Sequence, residues 1–236
     1  MAMAHSPSGT SPQQVYEPRT TRRILKLLEK QYPNAFTELT FSSPYELMVA
    51  TILSAQCTDE RVNRVTPALF AAYGTPVALA NAPSQNLERL IRSTGFFRSK
   101  ARSLIGMAQA VVERHSGELP TDIEALIKLP GVGRKTANVV LGHVFGLPGL
   151  PVDRHVLRVA NRLGIAASTD PVVVEAQLGS ALPDKHWTLA SDTLILHGRR
   201  VCRPKPRCGE CRVRQLCRAA ADHLPGAPKT SSRRRT

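Results

Sequence analysis

The sequence predicts an all-α fold, on three observations. Apolar residues recur at helical rather than alternating spacing, helix-start signatures are frequent, and glycines fall where helices should stop. Ser43-Pro44-Tyr45-Glu46 offers an N-cap, a proline at the first helical position and a capping-box glutamate ahead of the apolar run Leu47 to Leu53. Leu104, Ile105, Ala108, Val111 and Val112 mark a helix with one buried face. Thr121-Asp122-Ile123-Glu124 reads as a second capping box, opening a short helix that ends near Leu129. Asp170-Pro171 and Pro183-Asp184 open later helices, the second containing Trp187. Gly74, Gly95, Gly117, Gly146 and Gly164 sit at expected helix ends. Roughly ten short helices result, with no internal repeat and no convincing strand.

The 236 residues can build two modest cores, and the composition is that of a soluble globular chain, 42% hydrophobic and 21% charged. No stretch reaches the ~18 apolar residues of a membrane span. Met1 to Thr10 lacks the charged and apolar regions of a secretory signal. A cytoplasmic, nucleoid-associated protein is expected. Lys and Arg total 32 against 18 Asp and Glu, a net charge of +14. Such an excess points to a polyanionic partner, because each neutralised phosphate releases a condensed counterion.

Residues 1–19 are rich in Ser, Pro and Gln without periodicity and read as a disordered tail. Residues 221–236 read as a second tail, basic at Arg233, Arg234 and Arg235. Between them we expect a helical domain of residues 37–147. A second domain is expected to join residues 20–36 to residues 148–220.

The sharpest motif is Leu129-Pro130-Gly131-Val132-Gly133-Arg134-Lys135-Thr136-Ala137. Pro130 ends one helix and Thr136 to Phe145 forms the next. Gly131 and Gly133 permit positive φ and let an anion approach the backbone N–H groups at the second helix's positive end. A plain glycine turn is the competing reading, but the basic pair Arg134-Lys135 favours a DNA phosphate. Lys135, in the helix's first turn, either pairs with phosphate or, partly buried and repelled by the helix dipole, serves as a neutral nucleophilic amine. Asp153, eighteen residues later, precedes an amphipathic helix and suits an N-cap.

Cys202, Cys208, Cys211 and Cys217 are spaced C-x5-C-x2-C-x5-C, close enough to hold one metal centre, either zinc or an iron–sulfur cluster. From Arg199 to Arg218 there are eight basic residues and one acidic residue, Glu210. A basic loop pinned by a metal would suit a phosphate clamp, with Lys205 and Arg207 toward DNA. Cys57 reads as a small packing group.

These motifs together, with Ser54-Ala55-Gln56, Thr58-Asp59, Gly95 to Lys100, Val152-Asp153 and His155 in order, resemble the endonuclease III family over about residues 20 to 220. Leu129 to Leu141, LPGVGRKTANVVL, is similar to its helix-hairpin-helix. The resemblance implies a base-excision repair DNA glycosylase with lyase activity, acting as a monomer on double-stranded DNA with a damaged base. Lys135 would be the nucleophile and Asp153 the catalytic carboxylate, facing each other across a cleft between the domains. Gln56 would fill the gap left by the flipped base, and Phe96 would be the wedge in the opposite strand, unless it packs in the core. His155 would be structural or phosphate-facing. The four cysteines would hold a [4Fe–4S] cluster.

Two features depart from the family pattern. The first cysteine gap has five residues where the family usually has six, and Arg154 stands where a small residue is usual. That guanidinium could narrow the pocket or compete for Asp153. Other readings are a relative specific for pyrimidine dimers, mismatches or adenine, and a low-activity or non-catalytic DNA-binding paralogue.

Overall fold

The computed structural model of the chain describes residues 15–223. Most of both expected tails lies outside them. The described residues form eleven α-helices and no strand. In order these are α1 (Pro18–Gln31), α2 (Pro44–Leu53), α3 (Asp59–Ala72), α4 (Pro76–Ala80), α5 (Ser84–Ile91), α6 (Phe97–His115), α7 (Ile123–Leu126), α8 (Arg134–Val144), α9 (Arg154–Leu163), α10 (Pro171–Ala181) and α11 (Trp187–Arg200). Short 3-10 turns follow at Cys208–Glu210, Arg214–Leu216 and Ala221–His223. None of these helices is long and apolar enough to cross a membrane.

The apolar residues gather into two cores. One is built from α2 to α8, with Leu47, Met48, Leu53, Leu69, Leu87, Leu104 and Met107 at its centre. The other takes Ile24, Leu25 and Leu28 from α1 and joins them to Val156, Val159 and Leu163 of α9 and to residues of α10 and α11. The chain therefore leaves the second core after α1, builds the first, and returns at Leu150. α8 belongs to the first core but also touches α11 of the second.

Local chemistry explains the helix starts. Ser43 caps α2, its hydroxyl accepting from Glu46 N at 3.2 Å. Glu46 reaches back one residue further than a reciprocal box requires, accepting from the backbone and side chain of Ser42 at 2.6 and 2.8 Å. The cap of α7 is Asp122 rather than Thr121, because its carboxylate accepts from Ala125 N at 2.8 Å. α7 ends at Leu126, short of Leu129, which instead accepts from Val132 N at 3.0 Å and closes the hairpin turn.

The connection from α8 back into the second core is tight. A Cβ at Gly149 would collide with the backbone carbonyl oxygen of Asn138, and one at Gly142 with the side chain of Thr188. Neither backbone oxygen nor helix can move independently here. Gly149→Ala is accordingly expected to destabilise the protein by about 2–3 kcal/mol in chemical denaturation.

Candidate active site and DNA-binding cleft

The hairpin sits on α6. Gly131 has φ +76°, and a Cβ there would lie 2.5 Å from Cβ of Ser103. Gly131 thus needs both the left-handed conformation and the missing side chain. Gly133 differs from expectation: its φ is −92°, an ordinary extended value, and its role is the N-cap of α8. A Cβ there would meet nothing within 4 Å, so the approach to the helix end is open. No side chain caps α8, which leaves its first-turn N–H groups for an outside acceptor.

Arg134 does not face outward as a loose cation. Its Nε and Nη2 donate to both oxygens of Glu175 on α10 at 2.9 and 2.8 Å. Asn138 Nδ2 joins the same carboxylate at 3.2 Å. This hydrogen-bonded pair, ahead of the burial that opposes it, raises the guanidinium's pKa further. Its structural effect is to tie the start of α8 to the second core.

Lys135 and Asp153 line one open cleft between the two cores. Its walls include Glu38, Ser54, Gln56, Asp59, Arg154, His155, Arg199 and Arg203, and it encloses about 1750 Å³ counted out to solvent. Lys135 is exposed, so the partial burial expected of it is absent. Asp153 is half-buried and caps α9, its Oδ1 accepting from His155 N at 2.7 Å and Val156 N at 2.8 Å. Both bonds fall on one oxygen, and among the described residues Oδ2 has no hydrogen-bond partner. Arg154 is exposed in the cleft wall and, among the described residues, makes no ion pair with Asp153. The wall also carries an acidic–basic triad that the sequence did not announce. Arg199 binds Asp59 at 2.7 Å and also Glu38.

His155 accepts from Arg158 Nη2 at Nδ1, at 3.1 Å. Because arginine only donates, the imidazole is neutral with its proton on Nε2. Burial, opposed by Asp153 and aided by Arg158, Arg154 and Arg199, lowers its pKa in agreement.

Gln56 lies in the cleft wall and Phe96 outside it, but their backbones share a peculiarity. They have φ of +54° and +47°, the left-handed region that ordinary side chains avoid. Phe96 is 65% exposed, so it is not a core residue; Phe97 beside it packs inward instead. One buried group serves both loops. Lys100 Nζ donates to Leu53 O and Thr94 O, each at 2.8 Å, fixing the chain just before Gln56 and just before Phe96. Burial lowers the pKa of this ammonium. Nothing in its sequence spacing discloses this role.

The four clustered cysteines surround a single cavity with Leu163, His197, Val201 and Pro206. Burial pushes Cys217 up to about 11 and raises Cys208 and Cys211 as well, so metal-free thiols here would hold their protons. α9 pins the loop: Arg162 donates to Arg203 O at 2.6 Å and Pro204 O at 3.0 Å, and lies 3.6 Å from Cys202 Sγ. Arg158 donates to Cys202 O at 3.2 Å and Gly198 O at 3.0 Å. The short first gap closes through Arg207 N to Val201 O at 3.0 Å. Arg207 is exposed and donates to Glu210 and Arg200 O, and neither it nor exposed Lys205 lies in the cleft wall. The loop meets the cleft through Arg203 and Pro204.

The family described as "HhH-GPD superfamily base excision DNA repair protein" matches residues 49–184. The chain is 52% identical to "Endonuclease III" of Synechocystis sp. over 199 residues, 84% of this chain and 91% of the relative. It is 43% identical to "Endonuclease III" of Escherichia coli, across 82% of this chain and 92% of that one. Among solved structures it is similar to a trapped endonuclease III–DNA covalent intermediate, with TM-score 0.83 and 40% identity over 87% of this chain and 97% of the other. A thermostable thymine-DNA glycosylase shares the fold at TM-score 0.77 and 21% identity, covering 86% of this chain and 97% of that one.

Lys100→Met should remove both carbonyl contacts while keeping the buried stem. We expect a loss of about 2–3 kcal/mol of stability from the orphaned carbonyls. Cutting of duplex substrate should fall further than cutting of a single-stranded abasic oligonucleotide, which needs no strand to be parted.

Proposed function

The chain belongs to the endonuclease III family within the HhH-GPD superfamily, and from that membership we propose that Lys135 and Asp153 are the reacting pair of a DNA glycosylase and abasic-site lyase. The protein is a base-excision repair enzyme that binds DNA, and the reading is that it removes oxidised pyrimidines. The observation that carries the site assignment is the shared cleft: a first-turn lysine of one core and a half-buried carboxylate of the other line the same walls.

The steps follow from those groups. The damaged nucleotide is turned out of the duplex into the cleft. Lys135 Nζ forms a bond to C1′ of the sugar as the C1′–N bond to the base breaks, the base leaving with the electron pair and taking a proton. Asp153 stabilises the positive charge that builds on the sugar, through the Oδ2 that its capping bonds leave open. The lysine nitrogen's lone pair then expels O4′, which takes a proton as the C1′–O4′ bond breaks and the sugar ring opens, and the resulting iminium acidifies the C2′ proton. Removal of that proton expels the 3′ phosphate by breaking the C3′–O bond, and water then releases Lys135. The open N–H groups at the start of α8 hold a phosphate of the damaged strand, with Gly131 and Gly133 allowing its approach. Gln56 enters the space the base vacates, and exposed Phe96 parts the opposite strand. His155 offers its Nε2–H to the same cleft. Arg134, engaged by Glu175, contributes by holding α8 in place.

Cys202, Cys208, Cys211 and Cys217 suit a [4Fe–4S] cluster. All four line one cavity, so their thiolates can ligate a single centre. The cluster, when bound, supplies a rigid cross-link for the loop that presents Arg203 to the cleft. A monomer working in the cytoplasm at the nucleoid completes the reading.

Three measurements test it. Borohydride added to the protein with a thymine glycol duplex should give a covalent protein–DNA band that Lys135→Gln abolishes. Asp153→Asn should slow base removal by at least about a hundredfold. An absent band on both thymine glycol and abasic duplexes would overturn the lyase assignment. Separately, the purified protein should contain iron and inorganic sulfide and absorb in the visible blue, and Cys208→Ala should lose both. Zinc in place of iron would overturn the cluster assignment.

A further inference from the structure

One buried ion pair crosses between the two cores and has no part in the chemistry described above. His143 on α8 and Asp192 on α11 meet at 2.9 Å, with side chains only 1% and 5% exposed. The imidazole uses both nitrogens. Nε2 faces Asp192 Oδ2, and Nδ1 faces Val139 O, also at 2.9 Å. A neutral imidazole has one N–H and can satisfy only one of two acceptors. The geometry therefore calls for an imidazolium against a carboxylate. Phe36 covers it edge-on at 5.0 Å.

The location gives the pair its meaning. Lys135, Val139 and His143 follow one another at intervals of four along α8, and all three line the inner part of the cleft together with Asp153 and Asp192. Any slide or roll of α8 that breaks the His143 contact also carries Lys135. The residue beside Asp192 grips the other reactant. Ser191 Oγ donates to Pro151 O at 2.6 Å, two residues before Asp153, and Thr188 Oγ1 donates to Gly149 O at 3.0 Å. One face of α11 thus holds the Lys135 helix and the Asp153 segment at once.

Resting on the reading of Lys135 and Asp153 as the reacting pair, we propose that His143 and Asp192 are positioning residues, a charged clamp on α11 that sets the register of Lys135 against Asp153. Stability alone does not call for it, since a well-packed apolar pair commonly replaces a buried ion pair without loss. The clamp's proton is the element that can be titrated. Burial pulls the pKa of His143 down, but the hydrogen bond and charge of Asp192 and the Val139 carbonyl outweigh it, and the net direction is upward. Other charged groups on the surrounding walls are Lys135 of α8, Glu38 after α1, Asp59 of α3, Asp153 before α9, Arg199 of α11, and Asp184 and Lys185 ahead of α11. Asp192 is the one in direct contact. Because the folded pKa is raised, the clamp is complete below the ordinary histidine range and is lost as pH rises through the folded value.

The test is single-turnover cleavage of a thymine glycol duplex by the full-length, cluster-loaded protein between mildly acidic and alkaline pH. His143→Ala and Asp192→Asn should each slow the reaction by about ten- to a hundredfold, with affinity for a duplex carrying a tetrahydrofuran abasic analogue unchanged. The double variant should be no slower than either single one. The wild-type rate should carry an alkaline decline that His143→Ala lacks. Should either variant fold poorly by circular dichroism, His143→Gln keeps the volume and one donor to Asp192 and should recover part of the rate. Wild-type rates in the variants, additive losses in the double variant, or a loss explained wholly by weaker binding would overturn the clamp. Borohydride trapping of the wild-type protein separates the two readings: without an adduct both fall, and with one the variant rates decide the clamp alone.

Discussion

A lysine in the first turn of a helix stands against that helix's own field, and Lys135 is so placed at the start of α8. Asp153 stands at the opposite kind of position, an N-cap whose negative charge the start of α9 favours. The site depends on aiming these two helix ends at one cleft from different cores. Much of the remaining structure keeps that aim. Arg134 and Asn138 bind Glu175 on α10, His143 binds Asp192 on α11, and Ser191 binds the carbonyl of Pro151. The first two ties run from α8 to the second core, and the third holds the segment before α9 within that core.

The cysteine loop is held by the same helix that Asp153 caps. Arg158 and Arg162 of α9 turn their guanidiniums to carbonyls of residues 198 to 204, so the loop is an extension of α9 as much as of α11. This accounts for how the loop tolerates a five-residue first gap: the anchors lie outside the gap or at its start, and Arg207 N closes it onto Val201 O. The same ties place Arg203 and Pro204 at the cleft edge, where the sequence had pointed to Lys205 and Arg207.

Features written in local chemistry were legible in the sequence. The Ser43 cap, the glycine helix ends and the hairpin between Leu129 and Thr136 each depend on residues within a turn of one another. The four cysteines were legible for the same reason. Errors of detail arose where two local options compete, as at Thr121 and Asp122, where the charged side chain took the cap. What stayed hidden are pairs far apart in the chain. Arg134 and Glu175 are 41 positions apart, His143 and Asp192 are 49, and Lys100 reaches 47 back to Leu53. No periodicity carries such information, because packing of the two cores decides it. The exposure of Lys135 belongs to this class too, since burial at a domain boundary depends on how far apart the walls stand.

Lys100 has a mechanical consequence. By joining the carbonyls of Leu53 and Thr94, it makes the loops bearing Gln56 and Phe96 two tines of one stiff fork. Both tips are already in their left-handed backbone state. On the proposed roles of Gln56 and Phe96, a fork stiffened in this way leaves the yielding to the duplex. On that reading, base steps weakened by damage open beneath it more readily than sound ones, and the search for lesions begins as a survey of DNA stiffness.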